Sequence, residues 1–270
     1  MPEGHTVHRM ALDHEKWFQG KIVDLSSPQG RFSEGARALN RSIFHSAYAH
    51  GKHLFHRYTL QDQSLAFIHI HLGLYGKFSR RSPEDQAKVS PNCRLRVQST
   101  TDILDLSGPT CCEVLTLDEV EHKRAQLGPD PLRRDGDVEL FIKRLSKRRI
   151  PIAAALLNQK VIAGLGNIYR AELLFAHRIN PLTPACQIKE STAHDLWDTA
   201  VWWLALGVQT NQIITTVDKS SAAGRLTQIP RRESLMVYGH THCAECRSLI
   251  ETREVGHRKL YACFKCQVGR

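Results

Sequence analysis

The sequence predicts an α+β fold: an N-terminal antiparallel β-sandwich led by one helix, then a helical domain that ends in a small four-cysteine ribbon. Three observations carry this. From about Lys21 to Leu117, short β-branched and aromatic segments are separated by Gly, Pro, Ser and Asp clusters, the texture of antiparallel strands. From Asp137 to about Val208, apolar residues recur at helical spacing. The chain then ends in two Cys-x-x-Cys pairs, Cys243 with Cys246 and Cys263 with Cys266, sixteen residues apart.

Each element follows from local pattern. Val7, Met10, Ala11 and Phe18 line one face of a helix over residues 5–18. Strands are expected at Lys21–Leu25, Ser42–Tyr48, His53–Leu60, Leu65–His71, Arg94–Gln98 and Ile103–Leu106. Gly128-Pro-Asp-Pro-Leu132 punctuates the chain as a boundary. The expected layout is therefore a sandwich domain over 1–125, a linker over 126–136, a helical domain over 137–230 and a ribbon over 231–270. Helices are expected at Asp137–Ser146, from Pro151 through Ala153–Val161 to a stop at Gly164, and over Glu190–Val208. Asn167 stands where an N-cap belongs, ahead of a helix over Ile168–His177. The polar stretch 210–232 reads as a mobile loop, and Leu249–Glu254 with His257–Tyr261 as a hairpin.

Composition limits what the chain can be. With 270 residues, 41% hydrophobic and 24% charged, it can bury sizeable cores without disulfides. Gly (17) and Pro (11) are too few for collagen, and the apolar content is too high for wholesale disorder. No apolar run reaches the roughly 18–20 residues that span a bilayer, so no membrane partner is expected. The N-terminus lacks a signal-peptide core, which points to a cytoplasmic protein. Lys plus Arg outnumber Asp plus Glu by 37 to 27, a formal charge of +10 that favours an anionic partner. Nucleic acid fits that sign, as would a membrane surface or a phosphorylated ligand.

Of eight cysteines, Cys93, Cys111, Cys112 and Cys186 are scattered and read as inert core thiols. Cys111 and Cys112, being adjacent, point to opposite faces of any strand and do not suit a shared metal. The four terminal cysteines have zinc-ribbon spacing: two thiolates from each knuckle close one tetrahedral site. Such a site leaves no position for water, so one structural Zn2+ is expected. Stable disulfides would not suit an intracellular chain.

Four blocks then agree with one family in order and spacing: Met-Pro2-Glu3-Gly4 at the start, Gly51-Lys52-His-Leu-Phe55, Ala163-Gly-Leu-Gly-Asn167-Ile-Tyr-Arg-Ala-Glu172, and the ribbon with Arg258 five residues before Cys263. The chain resembles the formamidopyrimidine-DNA glycosylase/endonuclease VIII family over nearly its whole length. The resemblance implies that residues 163–172 belong to a helix-two-turns-helix DNA-binding segment. It also implies a bacterial, nucleoid-associated base-excision-repair enzyme that acts as a monomer on damaged DNA.

The residue types suit that chemistry. With Met1 removed, Pro2 presents a secondary amine that titrates at about 8 and is partly neutral at pH 7. Its attack on a sugar C1′ would displace a damaged base and leave an iminium ion, an electron sink that promotes β- and then δ-elimination. Glu3 is placed to protonate the sugar ring oxygen and to shuttle protons. The resemblance makes Lys52 a proton donor during elimination, Asn167 and Arg258 phosphate contacts, and Arg258 a helper in the δ step. Each residue also has a plain reading: a helix start, a turn lysine, an N-cap, a surface arginine.

A flipped-out nucleotide leaves a hole in the duplex. His71-Leu-Gly-Leu-Tyr-Gly76 resembles the family's void-filling loop, with Leu74 as wedge and Tyr75 as stacking partner; the plain alternative puts both in the sandwich core. His69 and His71 share a strand face, as a metal pair would, but neither a carboxylate nor a third His has an evident place beside them. Lys143-Arg-Leu-Ser-Lys-Arg-Arg149 reads as a phosphate-facing surface. Residues Asp105–Cys112 lack the Arg-Arg-Phe-Gly element of the oxidised-purine branch, while Leu74-Tyr75-Gly76 resembles endonuclease VIII, which prefers oxidised pyrimidines. Thr6, Gly73 and Gln126 depart from that branch's usual residues. Two alternatives remain: an oxidised-purine glycosylase of the same family, and a catalytically silent zinc-ribbon protein that binds damaged DNA, duplex, bubble or single-stranded.

Overall fold

The computed structural model describes residues 2–85, 89–217, 229–230 and 233–268. The chain forms two compact units, one from residue 2 and residues 7–126, the other from residues 3–6 and 127 onward. Among the described residues no helix is long and apolar enough to cross a membrane.

The first unit is built on eight antiparallel strands: β1 (Ile22–Ser26), β2 (Ser42–His50), β3 (His53–Thr59), β4 (Leu65–His71), β5 (Lys77–Arg81), β6 (Cys93–Gln98), β7 (Ile103–Ser107) and β8 (Cys111–Leu115). They lie in the order β5-β7-β6-β1-β2-β3-β4-β8. Strand β1 changes partner midway. Ile22 and Val23 pair with Ile43 and Ser42 of β2, whereas Asp24, Leu25 and Ser26 pair with Gln98, Val97 and Arg96 of β6. Alternate side chains of both ladders fill one core: Val23, Leu25, Phe44, Leu54, Tyr58, Ile68, Ile70, Leu95, Val97, Leu104 and Leu106. Helix α1 (Gly4–Phe18) adds Val7, Ala11 and Phe18 to it, as its periodicity predicts.

The six expected strands are present. Four further elements are α2 (Ser33–Ala38), β5, β8 and α3 (Leu117–Ala125). Strand β5 is a polar edge strand, and α3 buries only Val120, so neither has the apolar period that marks an element. Helix α3 starts from a full capping box, in which the Thr116 hydroxyl accepts from Glu119 N and a Glu119 carboxylate oxygen accepts from Thr116 N. Its Val120 covers Phe55, Phe67 and Leu115 on the outer face of the sheet.

In the second unit, α4 (Val138–Leu145) is capped by the Asp137 carboxylate, which accepts from Leu140 N at 2.9 Å. The helix expected from Pro151 to Val161 is shorter. Helix α5 covers only Ile152–Ala155, and two turns follow. Side chains compete with the helix there. Gln159 Nε2 donates to the Leu157 and Leu165 carbonyls, its Oε1 accepts from Gly164 N, and Asn158 Oδ1 accepts from Lys160 N. The turns lead into α6 (Asn167–Ala176), the helix-two-turns-helix arrangement that the resemblance implies.

Helix α7 (Glu190–Thr210) packs Trp197, Ala200 and Leu204 into a core with Phe141, Leu145, Ile152, Leu156 and Leu173, and ends at Asn211 in the left-handed region. Of the 210–232 stretch, residues 218–228, 231 and 232 lie outside the described residues. Its near end is anchored, because Thr215 N donates to the Ser234 carbonyl at 2.8 Å. The terminal hairpin consists of β9 (Glu251–Glu254) and β10 (Lys259–Ala262), each edge within two residues of expectation.

Candidate active site

Glu3 is 1% exposed, and backbone amides hold its carboxylate. One oxygen accepts from Gly166 N at 2.8 Å and from Tyr169 N at 3.5 Å, the other from Ile168 N at 2.9 Å. These amides open α6, where a negative charge is favoured. Gly4 N donates to the Gly164 carbonyl at 2.8 Å, fixing the same segment from behind. A Cβ at Gly166 would lie 2.3 Å from the Glu3 carboxyl carbon, so only glycine admits this approach. Pro2, half-buried, is the residue before Glu3.

Asn167 is not the N-cap of α6. Gly166 takes that position without a side-chain bond, and Glu3 satisfies the free amides instead. Asn167 is buried: its Nδ2 donates to the Lys259 carbonyl at 2.7 Å, and its Oδ1 accepts from the Arg170 guanidinium.

Two charged residues of α6, both 0% exposed, went unassigned in the sequence reading. The Arg170 guanidinium donates to the carbonyls of Ala153, Val255 and Lys259, at 3.3, 2.9 and 3.2 Å. Burial lowers its pKa to about 10. Glu172 accepts from Thr215 Oγ1 at 2.5 Å and from the amides of Met236, Val237 and Tyr238 at 2.7, 2.9 and 2.8 Å. Residues 170 and 172 thus tie α6 to both halves of the terminal ribbon. Charged residues in a helix read as solvent-facing, so only the motif itself could have flagged them.

The four terminal sulfurs converge within 4.8 Å of one another, with Cys246 to Cys263 at 3.4 Å and Cys243 to Cys266 at 3.8 Å. Zinc–sulfur bonds of about 2.3 Å in a tetrahedron place sulfurs about 3.8 Å apart, so the quartet could hold a metal ion of that size. Arg258 is exposed in the turn between β9 and β10. In the basic run 143–149, Arg144 is consumed by the Leu127 and Lys160 carbonyls at 2.7 and 2.6 Å, while Lys143, Lys147 and Arg149 are exposed.

In the sheet unit, Lys52 is half-buried in the turn between β2 and β3, which Gly51 closes with a positive φ of 57°. Leu74 and Tyr75 follow the end of β4 and are 47% and 84% exposed, which excludes the core reading of both. Gly73 has a φ of 65°, and a Cβ there would lie 1.9 Å from Thr110 Oγ1. That fixes how the loop leaves the strand.

Sequence comparison agrees with this geometry. The formamidopyrimidine-DNA glycosylase N-terminal domain matches residues 1–107, and the H2TH domain of the same enzymes matches residues 127–219. Endonuclease 8 1 of Mycobacterium tuberculosis is 40% identical over 272 residues, covering 99% of this chain and 100% of the relative. The chain belongs to the formamidopyrimidine-DNA glycosylase/endonuclease VIII family. Formamidopyrimidine-DNA glycosylase of Lactococcus lactis is also similar end to end, at 27% identity over 99% of each chain. A crystal structure of a Lactococcus lactis formamidopyrimidine-DNA glycosylase non-covalently bound to AP-site-containing DNA matches with a TM-score of 0.80 and 25% identity, over 98% of this chain and 99% of that one. Members of this family are DNA glycosylases with abasic-site lyase activity, and this chain is a DNA-repair enzyme of that class.

Within the glycosylase, the stretch 105–112 forms the end of β7, a turn over 108–110 and the start of β8. Asp105 is locked by Arg96 at 2.7 and 2.9 Å and by Arg81. Three residues, 108–110, connect β7 to β8. The unassigned strand β8 also brings Cys111 and Glu113 beside His69 and His71, so the expectation that this face holds no carboxylate is wrong. The sequence Cys111-Cys-Glu-Val-Leu115 has no apolar alternation, which is why its side chains could not be placed.

Proposed function

We propose that this glycosylase removes oxidised pyrimidines through a Schiff base on the Pro2 amine, followed by β,δ-elimination. The observation that carries the proposal is Glu3: a buried carboxylate, gripped by the first amides of α6, in the residue next to Pro2. A silent DNA-binding module has no use for that arrangement. Three further points support the pyrimidine branch: the exposed Leu74-Tyr75 loop, the short turn at 108–110, and 40% identity to an endonuclease 8 along the whole chain.

In this reading Pro2, freed of Met1, attacks C1′ with its nitrogen lone pair, and the base departs with the glycosidic electrons. Glu3 relays protons between the amine and the sugar ring oxygen as the ring opens to the iminium. Loss of the C2′ proton then expels the 3′ phosphate, and the δ step releases the 5′ phosphate. Lys52 serves as a proton donor in elimination, and Arg258 grips a phosphate and assists the δ step. Asn167, being tied to Lys259 and Arg170, holds the ribbon turn and presents it to a phosphate. Leu74 and Tyr75 fill the space of the flipped nucleotide. One Zn2+ held by Cys243, Cys246, Cys263 and Cys266 would supply folding energy to the ribbon that carries Arg258. The enzyme works as a monomer on damaged DNA.

Borohydride trapping on an abasic-site oligonucleotide, followed by peptide mapping, tests the nucleophile. DNA attached at Pro2 is expected; attachment at Lys52 with Pro2 unmodified would overturn the mechanism. Glu3→Gln should lower base excision by about 100-fold or more while sparing strand cleavage at a preformed abasic site, which already offers an aldehyde to the amine. Equal losses on both substrates would sink the role given to Glu3.

A further inference from the structure

The outer face of the sheet carries a second convergence of metal-binding side chains, apart from the terminal cysteines. Antiparallel register aligns His50 with His53, His53 with His71 and His71 with Cys111 in one row across β2, β3, β4 and β8. The next row aligns Tyr48, Phe55, His69 and Glu113. Both rows share a face, because their members are two residues apart along each strand. Where the rows meet, His69 Nδ1 lies 2.8 Å from Glu113 Oε1 and 3.6 Å from Cys111 Sγ. All three ligand atoms fall within 4.8 Å of one another. His69 is buried, and its other ring nitrogen, Nε2, lies 2.8 Å from His53 Nδ1.

We propose that His69 Nδ1, Cys111 Sγ and the Glu113 carboxylate form a binding site for a borderline divalent cation of the Zn2+ or Co2+ type. Nitrogen, sulfur and oxygen donors together suit such ions and not Mg2+ or Ca2+, which take oxygen alone. Bond lengths of about 2.0–2.3 Å put tetrahedral donors about 3.5 Å apart. The nitrogen–sulfur separation already matches. The nitrogen–oxygen contact, now a hydrogen bond, opens by about half an ångström.

Protons and charge balance. Without metal, His69 Nδ1 donates to Glu113, and Nε2 accepts from His53 Nδ1. With metal, the His69 proton moves to Nε2 and is donated to His53 Nδ1, and His53 carries its own proton on the other nitrogen. The imidazoles release nothing, and Cys111 loses one proton as its thiolate forms. One thiolate and one carboxylate neutralise the dication. Lys123, now 3.0 Å from Glu113 Oε1, is released towards solvent or keeps the second oxygen. His53 orients the ligand imidazole from behind, the usual outer partner of a metal-bound histidine. Three protein ligands leave one coordination position open.

The test uses the whole protein with its terminal site already filled with zinc. Added Co2+ should bind as one further equivalent with a thiolate charge-transfer band, releasing one proton per ion in calorimetry across buffers. Cys111→Ser should abolish the band. Cys112→Ser, whose side chain faces the sheet core, should retain it. His53→Asn should weaken binding by about 10- to 100-fold. Circular dichroism and retention of the first zinc establish that each variant is folded. Failure of the zinc-filled wild type to bind a further ion would overturn the proposal, as would a Cys111→Ser variant that binds like wild type.

Discussion

Helix α6 and the histidine-bearing sheet bury ionisable groups in opposite ways. On α6, the Arg170 and Glu172 side chains are held mainly by backbone carbonyls and amides. Backbone partners cannot rotate away, so each charge fixes the path of two distant segments. In the sheet, imidazoles bond each other: His14 Nδ1 to His56 Nε2 at 2.9 Å on the inner side, His53 to His69 on the outer. Donor and acceptor can exchange within such a pair, and neither ring is charged. Helix α6 uses buried charge for rigidity, while the histidine pairs of the sheet are buried neutral and are therefore sensitive to protons, unlike the Asp105–Arg96 ion pair of the same sheet.

Acid should separate the two regions most strongly. Burial lowers His56 to about 3, and burial together with His56 lowers His14 well below its usual value. A base whose pKa is depressed by folding stabilises the native state above its unfolded value of about 6.5, and that stability is lost as pH falls towards the folded value. The sheet unit should lose roughly 2 kcal/mol per pH unit below about 6.5. Denaturant midpoints at pH 7 and 4.5, read from sheet and helix signals separately, measure it. Equal loss in both units would remove the distinction.

Next in size, Arg170→Met breaks the helical side. It removes the guanidinium donor from the buried carbonyls of Ala153 and Val255, while the Lys259 carbonyl keeps Asn167. The expected loss is roughly 3 kcal/mol at pH 7, with the hairpin turn at Arg258 losing amide protection. A loss below about 1 kcal/mol would mean that water replaces the guanidinium. The smallest effect is Thr116→Ala, which removes one arm of the α3 capping box at an exposed position. About 1 kcal/mol is expected, confined to the sheet unit and independent of pH between 7 and 5.

The same contrast explains what could be read from sequence. Amphipathic α1 and the six expected strands declare themselves because their apolar residues repeat with the period of the element. The four terminal cysteines do so because two tight knuckles need a fixed spacing. Polar α3 offered a different signal, Thr116 followed three residues later by Glu119, which marks a helix start without any apolar stripe. Strand β8 offered none, and with it went the neighbourhood of His69. Glu3 was legible as a catalytic candidate from the motif, but its role in place of an Asn167 cap was not. That bond joins residues 3 and 168, a separation that no local pattern reports.

Strand β1 has a consequence for the order of folding. Its first half is paired by β2, the next strand in sequence, but its second half must wait for β6 to return from far along the chain. Closing the long loop carries the larger entropy loss, so the β1–β2–β3–β4 meander should gain amide protection before β6 docks. Pulse-labelled hydrogen exchange during refolding would read this directly, and early protection of Val97 would contradict it. In the finished protein the two ladders share five consecutive residues, so a local opening at Val23–Leu25 frees amides in both at once and neither can breathe alone.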